Sequence, residues 1–383
     1  MITFTKQPQL AIESAYNNQV FEFVGDENKT AVRAIVTLFF NPTPSGGGDF
    51  QSNQTLNFEI AANNGTFYFN GKRAIKNLFN KDNFSDGIIP TNINFLIQDP
   101  KLFCRIGYKL EVVYNNNTRD IEQIEKSYFK SVRNFFNDQQ NNQPSGLRLL
   151  SPTNYFNYFE GLPFDISFYT PTAGPVTIRN ENNGIETTKS FFAGVNRLFL
   201  SNGEPYNLGF ENEVPLLNNR VNTLVFKNSQ GQQLGIVKIK KVPSCKAPFL
   251  KWFNEFGSWN YWRFQSAYQG DVNHRNKQFL NNDFQNFEED LGNFQATGKT
   301  ASRTFDLYTD SLNDDELKYF KSLFISPKIF LYSEQEFAPI GPASFKEVSL
   351  SDGTNRDVNT KIRNREFDIS VELPIVNTQT YEN

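Results

Sequence analysis

Short runs in which apolar and polar residues alternate, broken every few positions by Asn, Gly or Pro, recur along most of this chain. Val20-Phe-Glu-Phe-Val24, Ala31-Val-Arg-Ala-Ile-Val-Thr-Leu-Phe-Phe40, Thr55-Leu-Asn-Phe-Glu-Ile60 and Thr66-Phe-Tyr-Phe69 have this period of two, the signature of half-buried strands. Between them lie Asp26-Glu-Asn-Lys29, Pro42-Thr-Pro-Ser-Gly-Gly-Gly48 and Asn63-Asn-Gly65, and the Asn-Gly pair between two such runs is a strong local hairpin signal. Arg73-Ala-Ile-Lys-Asn-Leu-Phe79 instead gathers Ala74, Ile75, Leu78 and Phe79 on one side, predicting a short helix. Asn92-Ile-Asn-Phe-Leu-Ile97 and Tyr108-Lys-Leu-Glu-Val-Val-Tyr114 then close the first block, residues 1–117, as strands.

Residues 118–146 read as a connector. Ile121, Ile124, Tyr128, Val132 and Phe135 fit a helical stripe, while Ser127 to Phe136 fits a strand equally well, and Asn137 to Gly146 is a polar linker without core material. The second block, 147–243, repeats the rhythm of the first in Phe164-Asp-Ile-Ser-Phe-Tyr169, Val176-Thr-Ile-Arg179, Ser190-Phe-Phe192, Asn196-Arg-Leu-Phe-Leu200, Asn222-Thr-Leu-Val-Phe226 and Leu234-Gly-Ile-Val-Lys-Ile-Lys240. A weak echo links Thr66-Phe-Tyr-Phe-Asn-Gly-Lys-Arg-Ala-Ile-Lys76 to Lys189-Ser-Phe-Phe-Ala-Gly-Val-Asn-Arg-Leu-Phe199, so the two blocks are expected to superpose.

The third block, 244–383, changes rhythm. Arg303 to Tyr308 and Lys328 to Tyr332 are strands around a helix over 313–325, which opens at Asn313-Asp-Asp-Glu316 with an Asn cap and Glu three residues on. That helix turns Leu317, Phe320, Leu323 and Phe324 to a core and stops before Pro327. Phe367-Asp-Ile-Ser-Val-Glu-Leu373 alternates without a fault. The whole pattern predicts a mainly β protein: tandem β-sandwich domains followed by a β-rich C-terminal domain carrying one helix.

Composition sharpens this reading. The core must be built from 40 Phe and 15 Tyr against one Met and three Trp. Aromatic residues suit pleated surfaces, and Asn, Gly and Pro suit the turns between them. A net charge of −3 with both signs interspersed gives no basic face for a phosphate backbone, so direct nucleic-acid binding is not expected. No apolar run approaches a membrane span, and the N-terminus lacks a charged region followed by an apolar one, so folding in a reducing cytoplasm is expected, without membrane insertion. Cys104 and Cys245 are then buried thiols rather than a disulfide.

Candidate chemistry is sparse. His274 is the single histidine and sits in polar Asp271-Val-Asn-His-Arg-Asn276, which reads as a loop. Triad catalysis would have only that base, and Cys-His catalysis the same one. Glu288-Glu-Asp290 and Asp314-Asp-Glu316 are carboxylate runs of no particular spacing, and Gly46-Gly-Gly48 lacks the Lys-Ser/Thr of a phosphate loop. Neither an enzymatic activity, a cofactor nor a metal site is expected. The three tryptophans, however, all fall between positions 252 and 262, in Leu250-Lys-Trp-Phe-Asn-Glu-Phe-Gly-Ser-Trp-Asn-Tyr-Trp-Arg-Phe264. Each such ring brings roughly 150–250 Å² of surface, more in sum than one buried strand hides. Trp252, Phe253, Trp259, Tyr261, Trp262 and Phe264 are therefore candidate anchors of a domain or subunit interface; alternatively Trp252, Trp259, Tyr261 and Trp262 form a platform on which sugar rings stack.

Three stretches carry a resemblance: Gln7-Pro-Gln-Leu-Ala-Ile-Glu-Ser-Ala-Tyr-Asn-Asn18 with Val20 to Val24, Asn64-Gly-Thr-Phe-Tyr-Phe-Asn-Gly-Lys-Arg-Ala-Ile-Lys-Asn-Leu-Phe79, and the Leu250 to Phe264 segment. Together they resemble tail structural proteins of tailed phages that infect Bacteroidota. The resemblance implies a virion subunit of the tail hub, baseplate or adsorption apparatus, assembled in the host cytoplasm. Its partners would be other tail proteins and copies of itself. A tail adhesin that recognises host surface glycans is the alternative it leaves open.

Overall fold

The computed structural model describes residues 1–8, 12–44, 50–88, 90, 94–133, 146–203, 209–243, 247–266, 268–276, 279–281, 294–296, 299–333, 344–351 and 366–373. The glycine run at 46–48, Cys245, the acidic run at 288–290 and most of the polar linker before Gly146 lie outside these residues. The chain divides into two compact units, one of residues 1–242 with 254–259, the other of 243–253 with 260–383.

The first unit begins with β1 (Thr3–Lys6), β2 (Ile12–Ser14), β3 (Val20–Val24), β4 (Ala31–Phe40), β5 (Thr43–Pro44), β6 (Phe50–Gln51), β7 (Thr55–Ala61), β8 (Thr66–Asn70), α1 (Lys72–Phe79), β9 (Leu96–Gln98), β10 (Phe103–Tyr114) and β11 (Arg119–Phe129). It continues with β12 (Arg148–Leu149), β13 (Tyr155–Phe159), β14 (Phe164–Thr170), β15 (Gly174–Asn180), β16 (Glu186–Phe191), β17 (Gly194–Ser201), β18 (Val221–Asn228) and β19 (Gln233–Val242). Two sandwiches result. In the first, the sheet β1-β3-β8 faces the sheet β2-β11-β10-β4-β7; in the second, β12-β14-β17-β9 faces β13-β19-β18-β15-β16.

Alternation does what the pattern requires. Ala34, Val36 and Leu38 of β4, Phe21 and Phe23 of β3, and Tyr108, Leu110 and Val112 of β10 are wholly buried in one core. Phe21 meets Tyr108 across it at 4.7 Å between centroids, and Phe23 stacks on its cross-strand neighbour Phe67 at 5.6 Å within one sheet. Asn64 and Gly65 take positive φ of 49° and 78°, as the Asn-Gly turn demands. That turn, however, sends β7 and β8 to opposite sheets instead of closing a simple hairpin.

The two sandwiches share one path. A short first strand opens the smaller sheet, and a short parallel strand follows at the edge of the larger one: β2 runs parallel to β11, and β13 parallel to β19. Strand for strand, β4, β7, β8, β10 and β11 correspond to β15, β16, β17, β18 and β19. The sequence echo does not follow this correspondence, since Phe67 lies on β8 and Phe191 on β16. The echo was thus coincidental to the repeat it suggested.

Two expectations change. Residues 119–129, read as part of a connector, form β11, paired along its length with β10. Ile121, Ile124 and Tyr128 matched a helical spacing by chance: in the strand Ile124 and Tyr128 share one face, while Ile121 lies on the other and is exposed. Residues 96–98, read as closing the first sandwich, instead add β9 to the second, where Leu96, Ile97 and Gln98 oppose Leu198, Arg197 and Asn196 of β17. Alternation identifies a strand and says nothing of its partner.

The second unit contains β20 (Phe249–Phe253), β21 (Trp259–Arg263, from Asn260 onward), β22 (Tyr268–Asn276), β23 (Phe279–Asn281), β24 (Phe294–Ala296), β25 (Lys299–Tyr308), α2 (Asp314–Lys321), β26 (Ile329–Ser333), β27 (Ser344–Leu350) and β28 (Asp368–Leu373). Its main sheet has the order β21-β20-β26-β27-β28-β25-β22. Asn313 caps α2 as expected, accepting from the N–H groups of Asp315 and Glu316 while Glu316 returns a bond to the Asn313 N–H. A 3₁₀ turn, Ser322–Ile325, ends it before Pro327. Ile369, Val371 and Leu373 are buried along β28, with Asp368 exposed. His274 lies on β22 opposite Ala301 and not in a loop. No helix among the described residues is long and apolar enough to cross a membrane.

Candidate functional site: a buried ionic junction and an aromatic hairpin

The most concentrated chemistry of the first unit lies where its two sandwiches meet. On β14 and β17 every residue is buried, on both faces of the sheet. The face away from the second sandwich's own core carries Asp165, Ser167 and Tyr169 beside Val195, Arg197 and Phe199. Alternation of Asp and Ser with Phe and Ile reads as a wet face, yet it is covered by residues of the first sandwich and of segment 254–258.

Arg197 is fully buried and places all five of its donors. Nε and Nη2 form a fork on Asp165 at 2.9 and 2.7 Å, and Nη1 and Nη2 form a second fork on Asp86 at 2.7 and 3.0 Å. Nη1 also reaches Asp99 at 3.3 Å. Planar guanidinium geometry suits such paired bidentate contacts. Asp165 and Arg197 belong to the second sandwich, whereas Asp86 follows α1 of the first and Asp99 lies between β9 and β10, where the chain returns from the second sheet to the first. β9 fixes the spacing, because Asp99 N–H donates to Val195 O at 2.9 Å and Phe199 N–H to Phe95 O at 2.8 Å.

Burial alone would weaken the guanidinium, but Asp165 and Asp86 outweigh it and hold its proton above the usual arginine range. Burial raises the Asp99 carboxyl above its ordinary value, against the pull of Arg197. Nearby, burial and the lysines oppose one another at Asp82, and Lys130 with Lys101 wins, leaving that carboxyl low. Lys130, itself buried, donates to Asp82 at 3.0 Å and lies 4.0 Å over the Phe84 ring. Phe103, Phe129 and Tyr169 complete the junction as a ring triangle with centroids 5.0 to 5.4 Å apart.

The raised Asp99 value has a testable sign. A group whose folded pKa lies above its unfolded one contributes stability that is full below the ordinary carboxylate range and is lost as pH rises through the folded value. Asp99→Asn removes that titration. Between about pH 4 and pH 7, the difference in urea midpoint should therefore move in favour of the variant. A difference that stays flat or moves toward the native chain would contradict this placement of Asp99.

Residues 254–258 also pack within this unit. Glu255 O accepts from the N–H groups of both Val132 and Arg133, Asn254 Nδ2 donates to Leu150 O at 3.2 Å, and the hydroxyls of Ser258 and Ser167 meet at 2.7 Å. Gly257 has a positive φ of 84°, and a Cβ there would stand 2.8 Å from Lys130 O. Both facts explain the glycine in the Trp-Phe-Asn-Glu-Phe-Gly segment.

In the second unit the aromatic segment is core. Trp252 and Phe264 are 0% exposed, and Phe253, Tyr261 and Trp262 are also buried; Trp259, which is assigned to the first unit, is buried too. Trp252, Trp262 and Phe264 surround Phe320 of α2 with centroids 5.9 to 6.0 Å away. Trp252 Nε1 donates to Ser322 Oγ at 2.9 Å, and Tyr319 Oη receives the Tyr261 N–H at 2.8 Å. Tyr261 stacks on Phe249. None of the six rings offers the open face that sugar stacking needs. Sequence reasoning singled out these rings but missed Arg197, whose signal was an Asp and an Arg set among the large apolar residues of two neighbouring strands.

Cys104 on β10 is a free thiol. Among the described residues no cluster of His, Cys, Asp and Glu suits a metal ion.

No family model matches the chain, and no curated protein matches it. Among solved structures it is similar to the fibronectin(III)-like modules of Clostridium thermocellum CbhA, at 8% identity over 63% of this chain and 95% of that one, with a TM-score of 0.18. It is also similar to a tetra-tandem repeat from the extending region of a large adhesion protein, at 8% identity over 98% and 73% of the two chains, TM-score 0.21. A third is SGBP-B of the Bacteroides ovatus mixed-linkage glucan utilization locus, in complex with a mixed-linkage heptasaccharide, at 9% identity over 82% and 67%, TM-score 0.16. The chain is a tandem β-sandwich protein with a β-rich C-terminal part; these likenesses are too remote to carry more.

Proposed function

We propose that this chain is a structural component of a phage tail, in the hub, baseplate or adsorption apparatus, that works by protein–protein contact. The supporting observation is the Arg197 junction. Sandwiches joined only by a linker swing independently, because interfaces between domains are ordinarily small and polar. Here β9, inserted in the chain between α1 and β10 of the first sandwich, completes a sheet of the second, and a fully bonded buried arginine ties carboxylates from both parts of the chain. Such a body transmits force along its length without bending at the joint, as a ring or fibre subunit must. Assembly would take place in the bacterial cytoplasm, with copies of itself and other tail proteins as partners.

Mass spectrometry and immunogold labelling of purified particles, from a phage that encodes this chain, test the proposal. Intact protein in several copies per particle, labelled at the tail, is expected. Abundant protein in the lysate with none in the particle would refute it. A glycan adhesin built on the Trp252 to Phe264 rings would need ring faces open to solvent, which the fold does not leave. Binding of the purified chain to a glycan array would revive that reading at another surface.

A further inference from the structure

A cavity of about 390 Å³ opens beside the last turn of α1, in the first sandwich. Its floor is apolar: Phe40, Leu78, Phe79 and Cys104. The Cys104 thiol adds to that surface, because burial pushes its pKa up to about 12 and keeps it uncharged at neutral pH. The mouth is polar and mostly cationic. Lys81 and Lys101 stand there with the amides of Asn41 and Gln54 and one carboxylate, Asp82.

That carboxylate is already engaged. Asp82 receives the buried Lys130 at 3.0 Å and lies 3.5 Å from Lys101. Lys81 is exposed and pairs with no described carboxylate. Asn41 is held in the left-handed region at φ 44°, with its Oδ1 accepting the Arg105 N–H at 3.1 Å, so the group it has to offer is its Nδ2 donor. Cations and donors therefore ring an apolar floor, an arrangement that matches a ligand with a negative head and a hydrocarbon body. Pockets for small ligands run from roughly 300 to 1,000 Å³ and combine an apolar lining with a few polar groups. At the ~30 Å³ that a water molecule occupies in the liquid, this cavity holds about a dozen non-hydrogen atoms.

We infer that the cavity is a binding site for a small amphipathic carboxylate, its chain or ring on Phe40, Leu78 and Phe79 and its head at Lys81 and Lys101. This site is independent of the tail assignment, and its occupant is distinct from the protein partners proposed above.

The test uses the full chain with ¹³C-labelled leucine methyl groups, titrated separately with octanoate, 3-phenylpropionate and octylamine. Saturable shifts of the Leu78 methyl resonances are expected with both carboxylates. Octanoate should bind about fivefold or more tightly than octylamine, the ratio expected when one or two solvent-exposed ion pairs change sign. Lys81→Glu combined with Lys101→Gln should reverse that order, and since the second change removes only the partly exposed Lys101–Asp82 pair without adding a charge beside Asp82, the variant's melting temperature should fall by no more than the loss of one exposed ion pair allows. Absence of a saturable Leu78 shift with either carboxylate would overturn the site. Equal affinity for octanoate and octylamine, or an order that survives the double substitution, would overturn the anionic class of the ligand.

Discussion

An Arg197→Met variant is expected to lose on the order of 3–5 kcal/mol of stability, because removing one partner of a buried ion pair leaves the other charge uncompensated. Here three carboxylates would be left: Asp165 and Asp86 lose their forks and Asp99 its single contact. Methionine fills a similar volume, so cavity formation contributes little and the loss reports the charges. Urea unfolding followed by circular dichroism measures it. The companion variant carries Arg197→Met with Asp165→Leu and Asp86→Asn. Replacing a buried ionic cluster by apolar groups of similar volume is often neutral or stabilising, so this combination should recover much of the lost stability. A single Arg197→Met cost of under about 1 kcal/mol, in the range of exposed ion pairs, would mean that the junction is wetter and weaker than its geometry states. So would a combined variant less stable than the single one.

The same junction marks the limit of what the sequence discloses. Alternation found the longer strands with one face on their own core, as Val36 and Leu38 have in β4 or Val237 and Ile239 in β19, but not the short edge strands β1, β2, β12 and β13. The other face of β14 and β17 was not legible for a physical reason: Asp165, Ser167 and Arg197 are polar, and a polar face is dry only if something covers it and satisfies its bonds. Those partners come from residues about 32 to 111 positions away along the chain, a separation no local pattern records. β9 failed likewise, since strand pairing is a long-range choice. The α2 cap was legible to the residue because Asn313 and Glu316 act on neighbouring backbone. The cavity beside α1 was invisible for the opposite reason to the junction: Phe40, Leu78 and Cys104 look like core residues in sequence, and only the fold shows space left over them.

Trp252→Ala is expected to cost about 3–5 kcal/mol, the range for emptying a large buried aromatic site. Against the roughly 5–15 kcal/mol that holds a domain together, this would bring the second unit close to unfolding. Trp252 is 0% exposed and meets both Tyr319 and Phe320 of α2 edge-on, at 5.7 and 6.0 Å. Its indole N–H also donates to Ser322 Oγ, but that hydroxyl keeps Asn260 Nδ2 as a donor at 3.0 Å and still donates to Tyr319 O at 2.8 Å. The lost hydrogen bond leaves no orphaned oxygen, so the cost falls on packing. Trp252→Phe separates the terms, since it restores a ring against α2 without the N–H and should recover more than half of the loss. Because the ring is buried, neither effect should change when free sugars are added to the melt, whereas a stacking platform would be stabilised by its ligand through mass action. Thermal melts of the two variants with and without added oligosaccharide read all of this at once. An alanine variant that melts within a degree or two of the native chain, or native protein whose melting rises with sugar only while Trp252 is present, would remove the ring from the core and return it to the surface.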